Sequence, residues 1–310
     1  MNTVASPTAD GASLIPREQR SKELRFALRM TCTLATILAF LGITVLGFEH
    51  SVYQLVFALS VGYSVALILE QVDAWTHHRP ARFLGRGVGG FVSFLLSAHM
   101  TSLTTWFLLF VTDRYWALGF VVVAGITSKY LFRVEVDGRL RHFYNPSNFG
   151  IVVALLCFPS ISVGPNHYTE FLRGWWNLVP VFIVLGLGLN LNLRFVRRGP
   201  LISAFLVGWL MQAGIRSACM DMPFFALVGP ISGFPFLLFI FYMITDPMTS
   251  PEGRREQWIF GLAIAAFYGL LTAMHIRFGM FFAVFAVCSI RGARLWLRET
   301  RRVGQLATAP

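Results

Sequence analysis

Long apolar runs separated by short polar connections make up almost the whole chain. A bilayer core about 30 Å thick asks for roughly 20 apolar residues per crossing helix. Ten runs meet or approach that length, at residues 26–47, 51–70, 88–111, 115–131, 147–161, 176–193, 201–216, 222–244, 257–274 and 278–296. The fifth is short for a full crossing. The pattern predicts an all-α integral membrane protein of about ten transmembrane helices, with the lipid bilayer as its main partner.

Basic residues offer an independent check, because Lys and Arg near span ends collect on the cytoplasmic side. With the N-terminus inside, the inner segments hold Arg17, Arg20, Lys22, Arg25 and Arg29, then Arg79, Arg82 and Arg86, then Lys129, Arg133, Arg139 and Arg141. They continue with Arg194, Arg197 and Arg198, then Arg254 and Arg255, and end with Arg291, Arg294, Arg298, Arg301 and Arg302. That is 22 of the 26 basic residues. The outer segments hold Arg114, Arg173, Arg216 and Arg277, one for each of four loops. A missed or invented helix would scramble this alternation. An even number of spans is therefore expected, in a multi-pass protein of the cell membrane with both termini cytoplasmic.

Ten helices divide at the outer loop near residues 164–173 into halves of five, and an odd number per half makes the halves antiparallel. The expected organisation is a flexible cytoplasmic tail (1–25), a first five-helix repeat (26–161), an outer connecting loop (162–175), an inverted second five-helix repeat (176–297) and a cytoplasmic tail (298–310). Inverted repeats place ligand sites near the membrane midplane, where broken helices meet. The third run opens with Gly85, Gly87, Gly89 and Gly90, a pattern that suits close packing through small residues. Its counterpart, the eighth, contains Gly229, Pro230, Gly233 and Pro235. Each proline removes a backbone donor and frees a carbonyl that lipid cannot satisfy, so a break facing protein, water or ligand is expected there. Gly229, Ser232 and Gly233 are ligand or pore candidates for that reason.

Composition narrows the function classes. The chain is 55% hydrophobic with 30 Phe and only 13% charged residues, far from a soluble domain. Its net charge of +11 lies between apolar runs, where it orients helices, and nucleic acid is not an expected partner. Cys32, Cys157, Cys219 and Cys288 are scattered without metal or redox spacing and read as small packing residues. The polar first 25 residues precede an apolar run that begins too late and runs too long for a cleaved signal peptide.

Two short motifs carry candidate chemistry. In His142-Phe-Tyr-Asn145-Pro146-Ser147-Asn148-Phe149-Gly150, Asn145 suits an N-cap with proline at the first helical position. Ser147 and Asn148 then turn polar groups inward at a helix N-terminus that favours anions, so Asn145, Ser147 and Asn148 are read both as a cap and as ligand or pore residues. In Ile244-Thr245-Asp246-Pro247-Met248-Thr249-Ser250-Pro251, proline ends the eighth helix at or before Asp246. Thr245, Thr249 and Ser250 can bond the freed carbonyls. Asp246 has two readings of equal standing, a surface lock with Arg254 or Arg255 and a place in a cation path.

These motifs, with Leu191-Asn-Leu-Arg-Phe-Val-Arg-Arg198 and Gln257-Trp-Ile-Phe-Gly261, resemble in order and spacing the RnfD/NqrB family. The resemblance covers most of the chain after about residue 120. Within it, Ser128-Lys-Tyr-Leu-Phe-Arg133 leading into the Asn145 motif is similar to the RnfD-like proteins of enediyne biosynthesis clusters, often called UnbU. The family implies ten helices in two inverted repeats, membrane or redox subunits as partners, and a role in ion-coupled electron transport. Its electron-carrying members hold a flavin mononucleotide through threonine in a Ser-Gly-Ala-Thr segment after the fifth helix. Here that loop reads Ser160-Ile-Ser-Val-Gly-Pro-Asn-His-Tyr-Thr169, and no such segment exists anywhere in the chain. The covalent flavin is therefore not carried over, and a flavin or quinone held without a covalent bond stays open.

The remaining chemistry is thin. Only His99 of the seven histidines lies well inside a predicted helix, and a bis-histidine haem needs two at matching depth. His77 and His78 read as a solvated loop, so no metal site is assigned. Glu70 and Asp73, at the inner end of the second run, suit an inner vestibule or simple contact with water. Ser232 lacks an identifiable base to activate it, so no catalytic residue is assigned. Two functions follow, a component of membrane electron transport and a carrier or channel for a small solute such as a natural product or its precursor.

Overall fold

The computed structural model describes residues 17–48, 50–111, 114–136, 139–164 and 174–307. Most of them are helical: α1 (Arg17–Thr44), α2 (Val52–Thr76), α3 (Gly87–Leu108), α4 (Tyr115–Leu131), α5 (Pro146–Cys157), α6 (Leu178–Asn190), α7 (Gly199–Met220), α8 (Phe224–Val228), α9 (Phe234–Leu238), α10 (Arg254–Ala273) and α11 (Gly279–Ala307). Among the described residues seven helical stretches are long and apolar enough to cross a membrane, one of them α6 with its flanking turns (Gly174–Val196), and a bent pair, Phe224–Ile231 with Pro235–Met243, raises that number to eight. The chain is thus a multi-pass, all-helical membrane-type protein. The fourth and fifth apolar runs form shorter helices of 17 and 12 residues.

Local chemistry explains the boundaries. Ser51 caps α2 by accepting from the Tyr53 N–H at 3.1 Å. Between α8 and α9 the chain bends by 65°, where Pro230 and Pro235 interrupt the hydrogen-bond ladder. Two wide π turns, Leu191–Val196 after α6 and Phe239–Met243 after α9, have no signature in the sequence. Two edges of the expected organisation move. Residues 17–25, expected in a flexible tail, form the first turns of α1, where Arg20 donates to the Phe195 and Val196 carbonyls at 2.6 and 2.8 Å. Likewise α11 continues past residue 297 to Ala307. Residues 1–16, Thr169 and the side chain of Ser232 lie outside what the structure describes.

Helices approach most closely where glycine removes a side chain. A Cβ on Gly150 of α5 would lie 2.3 Å from the Val121 carbonyl of α4, and one on Gly261 of α10 would lie 2.6 Å from the Leu201 carbonyl of α7. These contacts hold backbone against backbone, the kind of packing that joins helices where no hydrophobic force acts between them. Two short antiparallel strand pairs were not expected. Leu109–Phe110 (β1) pairs with Ser162–Val163 (β4), and Arg133–Val136 (β2) pairs with Arg139–His142 (β3). The second pair forms the hairpin that delivers the chain to Asn145, and Trp296 Nε1 of α11 donates to its Arg133 carbonyl at 2.9 Å.

The hairpin is braced from below as well. Glu70 and Asp73, near the end of α2, are buried rather than open to a vestibule. Arg79 pairs with both, Arg133 Nη2 reaches Asp73 Oδ1 at 2.5 Å, and the Arg82 N–H donates to Glu70 Oε1 at 2.9 Å. Two acids held by three arginines tie α2 to the loop after it and to β2.

Candidate functional site

Asn145 caps α5 as its position before Pro146 predicts. Its Oδ1 accepts from the Asn148 N–H at 3.2 Å and from Ser147 Oγ at 2.8 Å. An aromatic cluster fixes the approach, with Tyr144 stacked on Phe285 at 5.1 Å and its hydroxyl 2.8 Å from Ser289 Oγ. The cap leaves the Asn145 amide free to point away from the helix. Nδ2 donates to Asp246 Oδ2 at 3.2 Å, joining residues 101 positions apart.

The second motif is a tight turn built around that aspartate. The Asp246 carbonyl accepts from the Ser250 N–H at 2.9 Å and from Ser250 Oγ at 2.7 Å, while Oδ1 accepts from the Met248 N–H at 3.0 Å. Thr245 Oγ1 donates back to the Phe241 carbonyl at 2.6 Å. Buried Arg198 grips the outside of the turn, with Nε 2.7 Å from Ser250 Oγ and Nη2 3.4 Å from the Pro247 carbonyl. Arg291 does the same from α11, 2.9 Å from the Thr249 carbonyl.

Between the motifs lies a cavity of about 300 Å³, at the lower end of ligand pockets. Its polar wall includes Asn145, Ser147, Thr245, Asp246, His142 and Asn192, and α1 and α3 close the other side through Thr31, Ser97, Thr101 and Thr104. A second cavity of about 300 Å³ shares Thr31, Met100, Thr104 and Tyr242 with the first and runs on between α1, α3 and α6 past Leu38, Phe107 and Ile183. The pair makes one seam, polar at one end and apolar at the other.

No protein-family model matches this chain, and no curated protein matches it.

Of the residues singled out in the sequence, the structure brings Asn145, Ser147, Thr245 and Asp246 to the cavity. It uses Asn148, Thr249 and Ser250 as supports: Asn148 Nδ2 donates to the Phe281 carbonyl at 3.3 Å, and the other two close the turn. Gly229 and Gly233 lie at the bend, away along the chain from the 241–248 segment that lines the cavity. The proposed lock of Asp246 with Arg254 or Arg255 is not formed among the described residues. Both arginines are exposed at the start of α10, while Asp246 faces the cavity.

Electrostatics sets the acid apart. Burial pushes the Asp246 carboxyl above the ordinary carboxylate range, against the Met248 N–H and the charges of Lys129 and Arg198. Burial also takes His142 down to about 3, helped by Lys129, Arg133 and Arg141, so its imidazole is neutral at pH 7. Arg198 falls to about 10 through burial and stays charged. Sequence reasoning missed Arg198, Arg291 and Asn192 at this site. In the sequence Arg291 reads as orienting charge, while Arg198 and Asn192 fall in the Leu191–Arg198 segment of the resemblance without being marked as site residues, and Asn192 sits in a π turn no pattern announces. His99, the one histidine well inside a helix, is held by hydroxyls on both ring nitrogens, 2.6 Å from Tyr63 and 2.8 Å from Thr36.

Proposed function

We propose that this chain is a membrane transport protein of ten spans in two inverted five-helix repeats, which admits a small molecule with a hydrogen-bonding head and an apolar body to the seam between its halves. The contact of Asn145 with Asp246 on the cavity wall carries this reading. It sets a carboxylate of raised proton affinity on the wall of a ligand-sized cavity, and such acids inside membrane proteins serve substrate and proton paths. The repeat is supported by corresponding packing: α1 on α3 and α6 on α9, α2 on α4 and α7 on α10, α4 on α5 and α10 on α11. The bias of 22 basic residues supports cytoplasmic termini.

A second reading is favoured by one observation. The two motifs that carry the resemblance to the RnfD/NqrB family are the two that wall the cavity, which suits a subunit holding a flavin or quinone without a covalent bond. The similarity to enediyne-cluster proteins gives the transport reading a natural product or its precursor as solute. Purification separates the two. A colourless protein that accelerates flux of hydrophobic natural-product precursors into liposomes supports transport, and a stoichiometric flavin spectrum without flux overturns it in favour of electron transfer.

A further inference from the structure

A second cavity-forming feature lies outside the seam, along the crossing of α7 and α10. It is a groove of about 490 Å³ whose floor includes Gly208 and Gly269, positions without side chains on the two helices. On its wall lies Arg216, only 9% exposed. Its surroundings serve it poorly. Nη1 reaches Gln212 Oε1 at a long 3.4 Å, Nη2 reaches the Met222 thioether at 3.7 Å, and Nε has no hydrogen-bond partner. Among the described residues no carboxylate pairs with it.

The other inward arginines are treated differently. Arg79 and Arg133 hold buried acids, and Arg198 donates to a hydroxyl and two carbonyls. A guanidinium offers five donors, and leaving them unserved in an apolar setting is costly. An anion in the groove would relieve that cost.

The groove walls say what kind of anion. Met211, Ile215 and Leu270 line it and are 59%, 60% and 56% exposed, so their outer sides face the surrounding bilayer. A ligand entering from that side meets aliphatic surface first and the guanidinium last. We propose that the α7–α10 groove binds one acidic phospholipid, with its phosphate on Arg216 and its chains along Met211, Ile215 and Leu270. Arginine suits this task because its planar fork matches phosphate oxygens two at a time. In the orientation proposed above, this lipid belongs to the outer leaflet.

The test uses the full chain, purified in neutral detergent and exposed to equimolar phosphatidylglycerol and phosphatidylcholine. Native mass spectrometry then reads the lipid retained. The expected result is one phosphatidylglycerol per chain in preference to phosphatidylcholine, with that preference falling about ten-fold in Arg216→Gln, the loss of one charge-assisted contact. Ala266→Trp fills the groove while leaving Arg216 in place, and is expected to lose the lipid with its melting temperature kept. Equal retention of the two lipids by the wild type overturns the proposal. So does undiminished phosphatidylglycerol binding in Ala266→Trp, or in a folded Arg216→Gln. Competition by millimolar inorganic phosphate alone also overturns it, since the site would then take a soluble anion.

Discussion

Two acidic positions near helix ends, Asp73 and Asp246, look alike in sequence and behave as opposites in the fold. Asp73 is surrounded by guanidinium groups from Arg79 and Arg133, which leave its carboxylate with no free direction. Asp246 meets an asparagine amide and a backbone N–H, and faces a cavity with the rest of its surface. The first arrangement neutralises charge and ties elements together. The second keeps charge exchangeable beside a space that a ligand can enter. What tells a strut from a site here is the chemistry of the partners, since both acids are withdrawn from bulk water.

The largest contrast is expected in stability. Asp73→Ala leaves Arg79 and Arg133 without their shared acid and should destabilise the protein by about 3–5 kcal/mol, seen as a lower melting temperature in detergent. Any loss of flux should track that instability. Asp246→Asn should do the reverse, holding or raising the melting temperature while cutting solute flux about ten-fold, the cost of one charged hydrogen bond. Because burial raises the Asp246 pKa, the folded state holds that proton more tightly than the unfolded chain. Wild-type stability should therefore decline as pH rises through the raised value, and Asp246→Asn should flatten the decline. Equal pH profiles would place Asp246 with Asp73.

A smaller effect separates the two tasks of Asn145. Asn145→Ser keeps a good N-cap and should hold stability within about 0.5 kcal/mol, whereas Asn145→Ala should cost about 1 kcal/mol. Both lose the bond to Asp246, so both should impair flux alike; unimpaired flux in Asn145→Ser would reduce the residue to a cap. Smallest is His142. Its lowered pKa means the unfolded chain binds a proton that the folded chain refuses, so stability should fall as pH drops from the ordinary 6.5 toward about 3. His142→Gln should blunt that acid sensitivity in a melting series.

Much of the scaffold was legible, because burial in lipid demands long apolar runs and the chain supplies them. Each of the ten runs is helical along at least part of its length, although α4 and α5 are shorter than a full crossing and one run is bent at its prolines. The two motifs were legible as places of chemistry, through proline and the small polar residues beside it. Their meeting was not, since nothing local links residues 101 positions apart. Arg291 was legible only as charge and Arg198 only as charge within a resembling segment; that they clamp the 247–250 turn depends on the approach of α7 and α11 in space. The hairpin escaped because four-residue strands beside membrane helices carry too little pattern to stand out.

The wide turn at Phe239–Met243 bears on how the chain can vary. Such a turn holds one residue more than a regular helix would in the same place. Asn192 pins it to the other wide turn, with Nδ2 2.9 Å from the Phe241 carbonyl. Deleting a single residue there would restore an ordinary helix and rotate everything after it by about 100°, at 3.6 residues per turn. Thr245 and Asp246 would swing off the cavity wall with no substitution at either. Between residues 239 and 246, insertions and deletions should therefore be more damaging than exchanges of side chain.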